Sequence, residues 1–191
     1  MSHKDYKAII KPFLSDKRYQ HSLAVADEAA RLAKKYGANE KKACTAGILH
    51  DIMKDMPPKE QMKLMTKYDI VLTDVERSGQ KLWHAMLGAA YAENELRIED
   101  HEVLNAIRYH TTGRAHMSLL EKVLFVADFT SSDRDYPGVE DMRRAAENGL
   151  LEALLHGMTY TIQDLTDRRL AIHPDSIAAY NEAVLEYQSI I

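Results

Sequence analysis

Residues 43–54 read ACTAGILHDIMK and place an adjacent histidine and aspartate, His50 and Asp51, near the end of a helical pattern. Asn39 is suited to cap the start of this helix, and Gly47 and His50 lie three residues apart, on the inward face. A small residue on that face lets a neighbouring helix approach closely. Because Asp51 is rotated about 100° from His50 around the helix axis, the pair reaches one metal ion only together with ligands from other segments.

Four more segments with helical periodicity each place one imidazole or carboxylate among inward-facing apolar residues. These residues are His21, His84, His110 and Asp128. One interpretation is that each histidine is a core residue satisfied by a backbone carbonyl. Four imidazoles and two carboxylates in one core favour a shared partner instead, because burying them separately is costly. One or two metal ions satisfy the whole set.

The remaining pattern predicts helices and no strand. Strand-like alternation is nowhere long enough to indicate a sheet, and no repeat is visible. We therefore predict an all-α fold, a compact helical bundle that forms a single domain over residues 1–191. The expected helices are short ones within residues 1–14 and over about 59–68, and further ones over 15–36, 81–96, 99–110, 117–128, 139–169 (with Gly149 and Gly157 as candidate bends) and about 175–188.

Composition limits the classes of function. The net charge of −4 provides no strong positive field for nucleic acid or an anionic membrane. The single cysteine, Cys44, forms no internal disulfide and suits a reducing compartment. Neither an apolar run of membrane-spanning length nor a secretory leader is visible. We expect a cytoplasmic protein without membrane association.

The ligand types indicate the chemistry. Imidazoles and carboxylates without a usable thiolate suit iron, manganese or another divalent ion. Such an ion acidifies a bound water and neutralises a phosphoryl oxygen, which suits hydrolysis of phosphoesters or phosphoanhydrides. Arg18, Lys54 and Arg134 each lie within a helical turn or a short loop of a proposed ligand, and they either clamp phosphates or are solvated surface cations. His173, in a break between helices, is expected to line the cleft.

The order H, HD, H, H, D resembles the HD superfamily of metal-dependent phosphohydrolases. Within it, the chain is similar to the bacterial YqeK family of symmetrical diadenosine tetraphosphate hydrolases. The matching segments are RYQHSLAVA around His21, GILHDIMKD around His50, LWHAMLGA around His84, IRYHTTGR around His110, VLFVADFTSSDRDYPGV around Asp128, and IHPDSIAAYN at residues 172–181.

This resemblance implies an HD-domain fold with an ion, most simply iron, held by His21, His50, Asp51 and Asp128. His84 and His110 then either face the phosphates or complete a second metal site. The implied reaction cuts the middle of a tetraphosphate bridge and gives two nucleoside diphosphates. The residues expected to act in catalysis are Asp51, Lys54, His84 and His110. Those expected to contact a dinucleoside polyphosphate or nucleoside diphosphate are Arg18, His84, His110, Asp128, Phe129, Arg134 and His173.

The chain departs from the family pattern at two places. Ser131 and Ser132 stand where a Glu-Pro pair is expected, and Tyr180 precedes Asn181 where an Arg-Asn pair is usual. Neither departure touches the expected metal ligands. Two alternatives stay open: an HD phosphohydrolase that acts on other nucleotides, and a nucleotide-binding regulator with little turnover. The oligomeric state is also open, with a homodimer as one option.

Overall fold

The structure, a computed structural model, describes residues 1–190 and contains no β-strand over that range. The all-α prediction is confirmed. Two short 3-10 turns, Lys11–Phe13 and Gln80–Leu82, accompany the α-helices. Numbered in chain order within the described range, these helices are α1 (His3–Ile10), α2 (Asp16–Tyr36), α3 (Glu40–Leu49), α4 (Pro58–Lys67), α5 (Asp74–Ser78), α6 (Trp83–Asn94), α7 (His101–Tyr109), α8 (Leu119–Thr130), α9 (Val139–Asn148), α10 (Leu150–Asp167) and α11 (Pro174–Gln188).

Helix α3 lies in the middle of the molecule and packs against α1, α2, α7 and α8. The Asn39 side chain caps its start by accepting hydrogen bonds from the amides of Lys41 and Lys42. Gly47 permits the close crossing with α2, since a Cβ atom at this position would lie only 2.5 Å from Ala26 Cα. This crossing brings the end of α3, where His50 and Asp51 lie, against the middle of α2.

Helix α2 ends before Gly37, as the range predicted from the sequence requires, and begins without a side-chain cap. Gly37 ends it in the left-handed conformation, with φ of 84°, which glycine adopts without a steric penalty. Ser15 occupies the position before the first helical residue, but its hydroxyl does not cap the helix amides. It donates instead to Asp55 at 2.7 Å. This contact ties the start of α2 to the loop that follows the His50-Asp51 pair.

The helical stretch predicted over residues 139–169 is divided into two helices, at one of its two candidate bends. The chain breaks at Gly149, whose backbone is extended (φ −170°, ψ 140°), and continues as a second helix, α10. Gly157 lies inside α10 without interrupting it. A side chain at Gly157 would meet Phe125 Cε1 at 3.1 Å, so this glycine makes room for packing rather than for a bend.

One connected core of buried apolar side chains runs from α1 to α11. Its central members come from the helices that also carry the polar cluster described below, including Leu49, Leu87, Ile107 and Leu124, none of which is exposed to solvent. The rigid packing of these neighbours fixes the helix ends around the cluster. Within residues 1–190, no helix combines the length and apolar character needed to cross a bilayer.

Candidate metal centre

Four buried imidazoles form a row through the centre of the molecule. His50 follows the last residue of α3, His110 follows the last residue of α7, His84 lies in the first turn of α6, and His21 lies within α2. Ring centroids are 5.3 Å apart from His21 to His50, 5.0 Å from His50 to His110, and 5.0 Å from His110 to His84. His21 and His84 are thus the two ends of the row.

The Asp51 carboxylate lies alongside this row and faces both halves of it. Its Oδ2 atom is 3.6 Å from His50 Nε2 and 3.9 Å from His21 Nε2. Its Oδ1 atom is 3.1 Å from His84 Nε2 and 3.7 Å from His110 Nε2. One carboxylate therefore presents one oxygen to each pair of imidazoles.

Backbone contacts determine which ring nitrogen faces the centre. The Nδ1 atoms of His50, His84 and His110 lie 2.7, 2.8 and 2.8 Å from the carbonyl oxygens of the residues three positions earlier. A carbonyl only accepts a hydrogen bond, so each Nδ1 must donate and each neutral ring keeps an Nε2 lone pair. These lone pairs point into the cluster, which is the arrangement that metal-binding histidines require.

The surroundings of the Nε2 atoms indicate that a cation fits among these residues. The Nε2 atom of His50 is buried and has no hydrogen-bond partner within the described part of the chain. The Nε2 atoms of His84 and His110 face each other at 3.1 Å, and each also has a donor beside it, Lys54 Nζ at 3.2 Å and the Thr111 hydroxyl at 3.1 Å. A buried acceptor without a donor is unfavourable, and a divalent cation satisfies several such lone pairs at once.

Three overlapping groups of ligand atoms lie within 4.8 Å of one another. The first is His21, His50 and Asp51; the second is His50, His110 and Asp128; the third is Asp51, His84 and His110. The structure thus brings together all six residues that the sequence placed on inward helix faces. His21, His50, Asp51 and Asp128, the expected ligand set, are contiguous, and Asp51 connects them to His84 and His110.

Burial sets the charge state of two of the four imidazoles, His50 and His84. It lowers the pKa of His50 and of His84 to about 4, so both rings are neutral at neutral pH and able to bind a metal. Burial opposes ionisation of Asp51, but His50, His110, His84 and Lys54 surround it and hold its pKa well below the usual value. The cluster therefore combines neutral nitrogen ligands with a charged carboxylate.

The three predicted cations all turn toward the cluster. Arg18 lies 3.2 Å from Asp51 Oδ2. Lys54 Nζ lies 3.2 Å from His84 Nε2 and 3.8 Å from Asp51 Oδ1. Arg134 donates to the carboxylate of Asp128 and, at 2.6 Å, to its backbone carbonyl. None of the three is a freely solvated surface group, since their side chains are between 27% and 35% exposed.

Solvent reaches the two ends of the imidazole row through separate cavities. At the His21 end, a cavity of about 510 Å³ is lined by Ser15, Lys17, Arg18, His21, Asp55, Asp133, Arg134, Asp135 and Tyr136. At the His84 end, a cavity of about 240 Å³ is lined by Lys54, Met56, Pro58, Gln61, Gln80, Lys81 and His84. A groove of about 580 Å³ beside α9 contains no cluster residue, and its Arg31 and Arg143 already pair with glutamates.

Two predicted substrate contacts lie outside the cluster. The Phe129 ring packs against Phe125 and Tyr160, with centroids 5.3 and 6.3 Å away. His173 caps α11 by accepting from the Asp175 amide, and its Nε2 lies 3.5 Å from the buried Glu76. Neither residue lines either of the two cavities. The structure therefore does not support the predicted role of Phe129 and His173 in substrate binding.

Asp133 is a residue of the site that the sequence pattern does not predict. Its Oδ2 atom lies 2.8 Å from His21 Nδ1, on the side of the ring that faces away from the cluster. Asp133 belongs to the polar loop that follows α8, in which Arg134 was the residue expected to contact substrate. The sequence did show a carboxylate five residues after Asp128, a proposed ligand. Helical periodicity does not reveal that this carboxylate contacts His21, which is 112 residues away.

Comparison with known proteins gives consistent similarities. A family model described as "HD domain" matches residues 18–133. A protein of Halalkalibacterium halodurans named "Bis(5'-nucleosyl)-tetraphosphatase, symmetrical" is 42% identical over 178 residues, which cover 93% of this chain and 95% of that protein. A Bacillus subtilis protein with the same name is 38% identical over 181 residues, covering 95% of this chain and 97% of that protein.

A solved structure is also similar over nearly its whole length. It is a Clostridium acetobutylicum protein described as a predicted HD superfamily hydrolase involved in NAD metabolism. The two chains are 36% identical and superpose with a TM-score of 0.93 over 97% of this chain and 98% of the other. The similarity therefore includes the helices that carry the imidazole row.

Proposed function

This chain belongs to the HD domain family, and from that premise we propose that it is a metal-dependent hydrolase that cleaves dinucleoside tetraphosphates symmetrically. Its substrate is diadenosine tetraphosphate, and water attacks one of the two central phosphorus atoms to give two molecules of ADP. The observation that carries the proposal is the Asp51 carboxylate, whose two oxygens face two pairs of buried imidazoles with inward Nε2 atoms.

His21, His50, Asp51 and Asp128 would hold the metal, for which iron is our first choice and manganese the second. The absence of a thiolate from the ligand groups supports this choice over a softer ion. A divalent ion, when bound there, acidifies a coordinated water and neutralises a phosphoryl oxygen. The third ligand group, in which Asp51 joins His84 and His110, suits a second ion of the same kind.

The cations position and neutralise the phosphates. Arg18 and Arg134 flank the His21 end of the row, and Lys54 flanks the His84 end. A tetraphosphate bridge that lies along the row meets positive charge on both sides of its centre, and negative charge that develops in the transition state is shared among these groups. Burial lowers the pKa of Lys54, which also suits this residue to give a proton to the leaving phosphate.

The two cavities support a symmetrical cut. The substrate has two identical halves, and hydrolysis at its centre requires room for one half on each side of the reacting phosphorus. The cavities open at the two ends of the row, so each half of the substrate has its own opening.

We treat residues 1–191 as one functional domain, because a single core connects α1 to α11. We expect this domain to act in the cytoplasm, where the free thiol of the only cysteine stays reduced.

Product analysis tests the proposal. Protein loaded with iron or manganese is incubated with diadenosine tetraphosphate, with an otherwise identical Asp51→Asn protein as the control. We expect ADP as the sole nucleotide product from the unaltered protein and no product from the variant. ATP with AMP would contradict the symmetrical cut. Turnover only of other nucleotides, in a panel of nucleoside monophosphates, nucleoside triphosphates and cyclic dinucleotides, would favour a different HD phosphohydrolase. Tight binding without turnover would favour a regulator.

A further inference from the structure

His21 differs from the other three imidazoles in how its outer nitrogen is held. The Nδ1 atoms of His50, His84 and His110 face backbone carbonyls within their own segments. His21 lies inside α2, where the carbonyls are used by the helix itself. Its Nδ1 meets the Asp133 carboxylate at 2.8 Å, across the fold from a loop that follows α8.

The loop holds Asp133 in this orientation. The hydroxyl of Ser131 donates to Asp133 Oδ1 at 2.8 Å, which leaves Oδ2 for His21. Ser131 itself has no solvent exposure. The Arg143 guanidinium, from α9, donates to the backbone carbonyls of Thr130, Ser131 and Arg134 at 3.1, 2.9 and 3.0 Å. The backbone on both sides of Asp133 is therefore fixed.

We propose that Asp133 is a positioning residue for metal binding: it fixes the tautomer and ring orientation of His21, and Ser131 in turn fixes Asp133. Both ring nitrogens of His21 face a carboxylate, Asp133 at Nδ1 and Asp128 Oδ1 at 3.0 Å from Nε2. By accepting from Nδ1, Asp133 keeps the proton on that nitrogen and leaves the Nε2 lone pair for a cation that Asp128 would share. The arrangement gives a function to Ser131, which stands where the family pattern led us to expect glutamate. The metal part of this inference rests on the proposed function.

The physical reason for a carboxylate, rather than an amide, is charge. The negative charge of Asp133 makes the His21 ring a stronger electron-pair donor to a metal cation. It also stabilises the bound cation electrostatically through the ring. The Asp133 side chain is 35% exposed, whereas that of His21 is only 4% exposed. Replacement of Asp133 therefore disturbs the His21 contact more than the packing of the core, which makes it a suitable position for mutation.

The affinity for Mn²⁺ at fixed pH, measured by calorimetry on metal-free protein, is the first test. We expect Asp133→Ala and Asp133→Asn to weaken binding by about 10-fold to 100-fold. The matched control is Asp135→Ala, which removes the same charge from the same loop and should change the affinity less than about twofold. Folded Asp133 variants that bind Mn²⁺ as tightly as the unaltered protein would overturn the proposal, as would equal losses at positions 133 and 135.

A second measurement needs neither metal nor substrate, and so separates this inference from the proposed function. Nitrogen chemical shifts of the His21 ring, recorded on metal-free protein at about pH 8.5, report the tautomer. We expect the proton on Nδ1 in the unaltered protein, where Arg134 already donates to Asp128. In Asp133→Ala we expect it on Nε2, because Asp128 Oδ1, 3.0 Å from Nε2, is then the carboxylate that remains to accept it. The same tautomer in both proteins would contradict the role of Asp133, even if diadenosine tetraphosphate is hydrolysed as proposed. A tautomer that changes as expected supports it even if that hydrolysis fails.

Discussion

At the scale of single residues, the site depends on a hydrogen bond that is repeated at three histidines. His50, His84 and His110 each direct Nδ1 at the carbonyl three residues earlier, at the end or the start of a helix. The last carbonyls of a helix have no helical partner, which accounts for the contacts of His50 and His110. The Lys81 carbonyl that His84 faces belongs instead to the 3-10 turn before α6. The result is a set of rings whose remaining nitrogens share one buried space with Asp51.

Replacement of Asp51 by asparagine is the most direct test at this scale. The substitution keeps the volume but removes the charge that both pairs of imidazoles face. We expect the bound metal to be lost and turnover to fall by at least about 1,000-fold, since a bound ion supplies several kcal/mol of transition-state stabilisation. Metal content and activity are measured together with circular dichroism, which should show the helices intact. Asp55→Asn, a nearby carboxylate outside the ligand groups, should retain its metal.

Much of this residue-scale arrangement could be predicted from the sequence. Helical spacing placed His21, His84, His110 and Asp128 on inward faces, because burial of a helix face is encoded within that helix. The orientation of His21 could not be predicted in the same way. It depends on Asp133, which is 112 residues away, and on a loop shape that no periodicity encodes.

At the scale of helices, the distance between α2 and α3 determines whether the row of imidazoles can form. Gly47 faces the backbone of Ala26, and any side chain there would press against main-chain atoms that cannot rotate away. The small residue at position 47 was recognised in the sequence as permitting a close approach. Its contact with Ala26 of α2 was not recognised, because a sequence pattern does not reveal which helix crosses which. Glycine was also ambiguous elsewhere: Gly149 ends a helix while Gly157 continues one.

We predict that Gly47→Ala destabilises the protein by roughly 1–3 kcal/mol, because overpacking at the crossing outweighs the better helix propensity of alanine. Gly88→Ala is the matched control. It lies in α6, and an added Cβ would meet its nearest neighbour, Ile107 Cγ2, at 3.4 Å. This variant should be unchanged or slightly stabilised. Urea denaturation gives both free energies of unfolding, and equal effects at the two glycines would contradict the packing argument.

At the scale of the whole molecule, the protein buries a group of titratable side chains at the junction of its helices. Burial keeps His50 and His84 neutral, and the same arrangement makes the metal-free fold sensitive to acid. The cavities at the two ends of the row connect this buried centre to solvent. The same cluster therefore determines both the capacity to bind a metal and the stability of the metal-free protein.

The free energy of unfolding of the metal-free protein should fall as the pH is lowered from about 7.5 to 5.5. An unfolded histidine takes up a proton near pH 6.5, whereas folded His50 and His84 have pKa values of about 4. The unfolded state thus binds more protons in this range, which costs roughly 1 kcal/mol of stability for each ring. The raised pKa of His21, which burial opposes and Asp128 favours, offsets part of this loss.

Denaturant titrations of chelator-treated protein at the two pH values measure the effect. Asp51 and Asp128 do not contribute in this range, because their pKa values lie well below the usual value. A His84→Gln protein should lose less stability on acidification than the unaltered protein. A stability that rises or stays constant between pH 7.5 and 5.5 would mean that these rings are not buried in neutral form.

The location of the metal itself tests the central claim, that distant imidazoles and carboxylates converge on a common cation. Crystals of protein loaded with iron or manganese would be measured on both sides of the metal absorption edge. We predict an anomalous peak about 2.0–2.3 Å from Nε2 of His21 and of His50 and from carboxylate oxygens of Asp51 and Asp128. Metal bound only elsewhere on the molecule, with these four side chains retaining their local partners, would contradict the account.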